Sequence, residues 1–257
     1  MSEWLTDGLR VTVFYQAPTD PARDLDSRKI WEELTGATPD RSTNDARNLR
    51  FEAAGPWGSD VWLVVQRIPG RLDVFLTVIP AETLAEAAVG IRHIGRLDDR
   101  RALVEQAGGK LIAMASGVSR IAFGATLLIP VSDRVEGYKR LAPFLPGVTL
   151  VPEMHDFAYQ VNRQRHEPLP VNGTKQILVN RLQKWHVVVM NHVQVLMQGS
   201  GVPFATQAMP IGYACRVELD LSTDGQQVEP LPADRVKPLF LRLVEYAVEI
   251  ANKGDVQ

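Results

Sequence analysis

The order of elements in the second half of this chain repeats the order in the first, and a repeat restricts architecture before any single motif does. Leu63, Val64, Val65, Gln66, Arg67 and Ile68, a Pro69-Gly70 turn and residues 71–76 read as a β-hairpin. The pattern returns as Ile177, Leu178, Val179, Asn180, Arg181 and Leu182, with Gln183 as the break and residues 184–189 as the return strand. An alternating strand follows each hairpin, and a helix opening Asp-Arg-Val follows each strand, at Asp133 and at Asp234. In this alignment Val65 falls on Val179 and Arg67 on Arg181. The expected fold is α+β: two tandem antiparallel β-meander plus helix units, pseudo-symmetric, covering 1–150 and 151–257, with a long C-terminal helix.

The remaining elements fit between these markers. Residues 9–16 are rich in β-branched and aromatic types and predict a strand. Asp26 or Ser27 can cap a short helix with Ile30, Trp31 and Leu34 on one face and Gly36 at its end. Residues 39–48 read as an exposed loop, and 49–53 as a further strand. Pro80 suits the first turn of a helix reaching Val89. A second helix, capped by Asp98, presents Leu103, Ala107, Leu111 and Met114, with a break expected at Gly108-Gly109 because each glycine weakens a helix by about 1 kcal/mol. Ile121, Phe123, Ala125, Leu127, Ile129 and Val131 share one strand face, as do Tyr213, Cys215, Val217, Leu219 and Leu221. Val236, Leu239, Leu243, Tyr246 and Ile250 keep helical spacing, with Pro238 in the first turn.

Composition narrows the function classes. A net charge of -2 gives no global attraction to nucleic acid or anionic membrane. No secretory signal and no membrane-length apolar run is present, so a cytoplasmic protein with no membrane role is expected. Cys215 is the only cysteine, which removes an internal disulfide and Cys-rich metal sites. Asn172-Gly173-Thr174 reads as a turn rather than a glycosylation site.

A search for catalytic constellations is largely negative. Gly108-Gly109-Lys110 is followed by leucine where a phosphate loop needs Ser or Thr, and no Gly-x-Gly-x-x-Gly run exists, so no nucleotide cofactor is expected. The five histidines, His93, His155, His166, His186 and His192, form no helical metal pair, and no metal or other cofactor is implied. Cys215 shares a face with apolar neighbours and reads as a core thiol rather than a nucleophile. Gln198-Gly199-Ser200-Gly201 lies in a loop pattern rather than a nucleophile elbow.

The polar faces of the second-half strands give a sharper constellation: Gln160, Asn162, Gln164 and His166; Lys184, His186 and His192; Arg216, Glu218 and Asp220. If these strands share one antiparallel sheet backed by the C-terminal helix, the set forms a single open face. That face is either an ordinary solvated surface or a recognition surface, with Trp57 and Trp62 near a comparable face of the first half. Arg67 and Arg181 form a second candidate. At the turn end of an apolar strand face, an arginine either snorkels from the core edge, the favoured reading, or anchors an acidic group.

The hairpin at Val64-Val65-Gln66-Arg67-Ile68-Pro69-Gly70-Arg71-Leu72, and the closing strand Val217-Glu218-Leu219-Asp220-Leu221 before a long terminal helix, resemble a sporadically distributed family of bacterial proteins of unknown function. The resemblance implies a bacterial soluble protein and carries over no catalytic residues. The function expected from sequence is therefore non-catalytic binding, as an adaptor or subunit of a bacterial multi-protein assembly, with a protein partner or second copy favoured over nucleic acid. The alternatives are a carrier of a small apolar ligand in a sheet-helix cavity, and an enzyme using the histidine-containing sheet face. If one half recognises the partner, the second is expected to.

Overall fold

The computed structural model of the chain describes residues 3–16, 25–45, 47, 49–81, 90–168, 176–197, 203–226 and 229–255, with side chains of 192–197 and 203–209 outside that description. All the described strands join one antiparallel sheet. In chain order they are β1 (Leu5–Tyr15), β2 (Arg41–Asp45), β3 (Arg50–Trp57), β4 (Val61–Ile68), β5 (Arg71–Thr77), β6 (Val118–Val131), β7 (Ala158–Asn162), β8 (Arg165–Pro168), β9 (Gln176–Met197) and β10 (Pro203–Thr223). Their spatial order is β2-β3-β4-β5-β1-β6-β10-β9-β7, with β8 also on β9. Outward from the central pair β1 and β6 come β5, β4 and β3 on one side, and β10, β9 and β7 on the other.

Four described helices lie against the sheet: α1 (Ser27–Thr35), α2 (Leu97–Met114), α3 (Arg134–Leu141) and α4 (Ala233–Lys253). Strand alternation explains the sidedness. Val11 and Val13, Leu63 and Val65, Leu72 and Val74, Phe123 and Leu127, Val217 and Leu221 are all fully buried, with polar residues between them in most strands. Val236, Leu243, Tyr246 and Ile250 of α4 complete this core, as their spacing predicts. Asp26 caps α1 by accepting from the Arg28 N–H at 2.9 Å, and Gly36 ends it with φ of 75°. Trp4, Phe144 and Trp185 pack ring against ring beneath the second half, with centroids 5.3 to 5.8 Å apart.

Several sequence expectations need correction. Gln183 is not a break: β9 runs continuously through it, and its direct neighbour for hairpin purposes is β10. Gln183 is instead a buried strand residue whose amide both donates and accepts. Its amide donates to Asp255 Oδ1 at 2.8 Å and its carbonyl accepts from Trp185 Nε1 at 3.0 Å. Residues 41–45 form the exposed edge strand β2 rather than a loop; a strand with no apolar face leaves no alternation to read. Helix α2 passes through Gly108-Gly109 unbroken. Gly108 is there because α4 crosses at that point, where a Cβ would overlap the Phe240 ring.

Asp133 caps α3 by accepting from the Glu136 N–H at 2.9 Å, whereas Asp234 sits inside the first turn of a helix whose cap position is Pro232. The two Asp-Arg-Val runs therefore open their helices differently. The expected helix from Pro80 to Val89, and the Asn172-Gly173-Thr174 and Gln198 to Gly201 segments, lie outside the described residues.

Asp255 clamps the end of α4: it accepts from Tyr159 Oη at 2.6 Å and from Arg163 at 3.0 and 2.7 Å, and its own N–H donates to the Phe144 carbonyl at 2.8 Å. Among the described residues, past His186 opposite Ala158 and Tyr213 opposite Val131, β9 and β10 pair only with each other, as far as Met197 opposite Pro203. From Met190 onward this ribbon reaches about 26 Å at ~3.3 Å per residue.

Candidate functional site

The register brings the polar residues of the uncovered sheet face into rows that cross the strands. One row runs Gln160, Lys184, Glu218, Thr126, Gly8 and Thr77, from β7 through β9, β10, β6 and β1 to β5. The next runs Leu182, Asp220, Gly124, Arg10, Phe75 and Val64. Among the described residues no helix covers this face. At its centre Gly8 and Gly124 stand on adjacent strands with no side chain, so the floor drops between long polar side chains. The result is a hollow of about 680 Å³ lined from eight strands, within the size range of ligand sites.

Charges in the hollow balance. Arg10, Arg50, Lys184 and Arg216 face Asp7, Glu52, Glu218 and Asp220. Arg10 pairs with Asp220 at 3.4 Å, Arg216 with Glu218 at 3.0 Å, and Glu52 with both Arg41 and Arg50 at 3.1 and 3.6 Å. His186 Nε2 lies 3.3 Å from Glu218 Oε1. Burial pushes the His186 imidazole below its usual value despite that carboxylate, with Lys184 and Arg216 adding to the effect. Such a balanced face lacks the excess of cations that a phosphate backbone requires.

Asp7 owes its position to a β-bulge. Thr6 pairs with Leu127 and Gly8 with Thr126, which leaves Asp7 as an extra residue without a register partner, facing the hollow. Burial holds its carboxyl above the ordinary aspartate value, against the pull of Arg216. Neither the Asp7 carboxylate nor the Lys184 ammonium makes a hydrogen bond or ion pair with another described residue.

Of the residues singled out from sequence, Lys184, His186, Arg216 and Glu218 come together here. Asn162 and Gln164 lie beside them at the sheet edge. Both amide groups donate to Asn180 Oδ1 at 2.9 Å, and Asn162 Oδ1 accepts from the Arg181 N–H at 3.0 Å. His166 is further out on β8, opposite Leu178. The His192 side chain lies outside the described residues.

Arg67 and Arg181 are on the other face and take no part in the hollow. Both are nearly fully buried against aromatic rings, Arg67 over Phe51 at 3.9 Å and Arg181 over Tyr246 at 5.2 Å. Arg181 Nε also donates to the Arg163 carbonyl at 3.0 Å, and burial lowers its pKa.

The first half contributes Asp7, Arg10, Arg50, Glu52 and Gln66, which sequence reasoning did not select. The alternation Gly8, Arg10, Thr12 between apolar residues carried the signal for the β1 positions. The bulge that turns Asp7 inward left no such trace. The sheet-helix interface, by contrast, is filled by side chains such as Phe123, Phe240 and Trp185, all fully buried. Cys215 is part of that filling. Its thiol donates to the Gly137 carbonyl at 3.2 Å, and burial pushes its pKa to about 12. Among the described residues no three His, Cys, Asp or Glu side chains gather as a metal site, and no helix is long and apolar enough to cross a membrane.

Comparison with known proteins adds no relative: no family model, no curated protein and no solved structure matches the chain.

Proposed function

We propose that the protein is a non-catalytic binding component of a bacterial multi-protein assembly, and that the hollow of the open sheet face is its recognition surface. The observation that carries this reading is the convergence of eight charged side chains from both halves of the chain into one hollow, with the helices confined to the other face. The hollow contains no serine, cysteine or other activated nucleophile, and its imidazole neighbour is tied to Glu218 rather than to a reacting group. A carrier of apolar ligands is less well supported, because the space where such a ligand was expected is occupied by core side chains.

The same reading includes an internal duplication with its boundary moved from residue 150 to the loop before β6, so that β1, α1, β3 to β5 and α2 correspond to β6, α3, β7 to β10 and α4, and the Asp133 helix matches α1 rather than the Asp234 helix. Its support is the matching order outward from β1 and β6, together with the aspartate caps of α1 and α3. Arg67 and Arg181 then occupy equivalent strands, β4 and β9, each two strands from the centre.

The test compares partner recovery by three immobilised forms: wild type, the double variant Lys184→Glu with Arg216→Glu, and Arg28→Glu on the exposed side of α1. A partner recovered by the first and third and lost from the second is the expected result. Equal recovery by all three removes the hollow from the recognition surface.

A further inference from the structure

Among the described residues, the hollow holds two side-chain charges that make no hydrogen bond or ion pair, and they are of opposite sign. Asp7 stands on β1 and Lys184 on β9, at opposite ends of the segment Lys184, Glu218, Thr126, Gly8. Three strand spacings of about 4.8 Å separate their backbones by about 14 Å. The other lining charges are already paired within the protein: Arg10 with Asp220, Arg216 with Glu218, and Arg50 with Glu52. Between Asp7 and Lys184 lie Gly8, the small hydroxyl residue Thr126 and Glu218, whose carboxylate is already paired with Arg216.

Asp7 is half-buried without a side-chain donor, and burial is the main influence on its carboxyl, opposed by Arg216. An ammonium group brought against it would offset that burial. A carboxylate brought to Lys184 would meet a free ammonium with Arg216 on the neighbouring strand, in register with His186. Once the two side chains extend inward, the remaining span suits a molecule of a few bonds' length carrying both charges. The amides of Gln160 and Gln66 at the two flanks offer donors and acceptors for peptide groups.

We propose that the hollow receives a small zwitterion, an amino acid or short peptide, with its ammonium group on Asp7 and its carboxylate on Lys184. This rests on the reading of the hollow as a binding surface and makes the protein a ligand-sensing member of its assembly. A polyanion would leave Asp7 unpaired and repelled, and a polycation would do the same to Lys184. Only a ligand with both signs satisfies both groups at once.

The test is calorimetric titration of the full chain with triglycine, N-acetyltriglycine and triglycine amide. Triglycine binds, and removing either end charge weakens it by about tenfold or more, as expected for loss of one charge-assisted bond. In Asp7→Asn, triglycine and its acetyl derivative become equivalent while the amide remains weaker. In Lys184→Gln, triglycine and its amide become equivalent while the acetyl derivative remains weaker. A purely structural role for either residue would not produce this crossed pattern.

The inference is overturned if the wild type binds none of triglycine, glycylglycine and glycine, or binds all three triglycine forms alike. It fails separately from the assembly reading. Loss of partner recovery in the Lys184→Glu, Arg216→Glu variant, with no zwitterion bound by wild type, leaves the assembly role standing and ends this one. Zwitterion binding with unchanged partner recovery does the reverse.

Discussion

Trp185 and His186 are consecutive residues on opposite faces of β9, and their surroundings differ in every physical respect. Trp185 is fully buried, stacked with Phe144 at 5.8 Å and against Trp4 at 5.7 Å, with its N–H bonded to Gln183. His186 faces the hollow among Lys184, Arg216 and Glu218, where no second layer covers it. The helix-side face ties buried polar groups such as Gln183 and Cys215 into internal hydrogen bonds. Among the described residues, the open face keeps two side-chain charges with no hydrogen bond or ion pair and two central positions without side chains. One face therefore carries stability, and the other retains interaction capacity that folding does not use.

The comparison is most directly broken by substituting the two neighbours. Trp185→Ala is expected to lower unfolding free energy by about 3–5 kcal/mol, through lost burial and a cavity beneath α3 and α4. His186→Ala is expected to change it by less than about 1 kcal/mol. Urea unfolding of both variants measures the difference, and similar losses would erase the division between faces.

A second substitution adds bulk instead of removing it. At Gly108, where α4 crosses α2, Gly108→Val places a branched side chain into the Phe240 ring and is expected to cost about 3 kcal/mol or less. The adjacent Gly109 has only the end of the Lys237 side chain nearby, so Gly109→Ala should be neutral or stabilising by up to about 1 kcal/mol. Thermal unfolding of the pair tests whether packing alone explains the double glycine.

The Asp255 clamp gives a smaller effect with a defined pH signature. Bonds from Arg163 lower its carboxyl pKa most, with Tyr159 and Gln183 contributing. Because the folded value lies below the unfolded one, the clamp's contribution is complete above the unfolded value of about 3.9 and is lost as pH falls through the folded value. Asp255→Asn should cost about 2 kcal/mol at neutral pH and flatten the acid limb of the stability profile. An unchanged acid limb would mean the clamp contributes nothing.

His186 acts in the same sense in a higher window. Its folded pKa is below the unfolded value of about 6.5, so stability declines as pH drops below that point. The decline should disappear in His186→Gln. Lys184→Gln should leave stability within about 0.5 kcal/mol of wild type, since the side chain makes no bond that folding depends on.

Much of the helix-side architecture was legible in the sequence because burial writes itself as alternation. Ile121 to Val131, Tyr213 to Leu221 and the α4 stripe are apolar at the positions that face inward. Gln183 misled because a buried polar residue in a strand looks like a turn residue unless its partner is known, and that partner, Asp255, is far along the chain. Gly108 misled for a similar reason, since the helix it accommodates arrives from residue 240. The polar half of the hollow on β9 and β10 could be assembled from parity alone. The β1 half could not, because strand order places β1 beside β6 rather than beside its sequence neighbours, and because a bulge reorients Asp7 without altering composition.

The overhanging β9–β10 ribbon differs from the hollow in a way that an ordinary salt series can read. From Trp185 through Cys215 the chain contains no Asp, Glu, Lys or Arg, while the hollow is lined by eight such residues. Raising ionic strength from about 0.01 M to 1 M shortens the screening length from about 30 Å to about 3 Å, which acts on charges and leaves apolar contact largely untouched. An association that fades along that series depends on the hollow's charges, and one that persists or strengthens does not. The share of the hollow's charges in any contact can thus be read from the buffer alone, before any residue is changed.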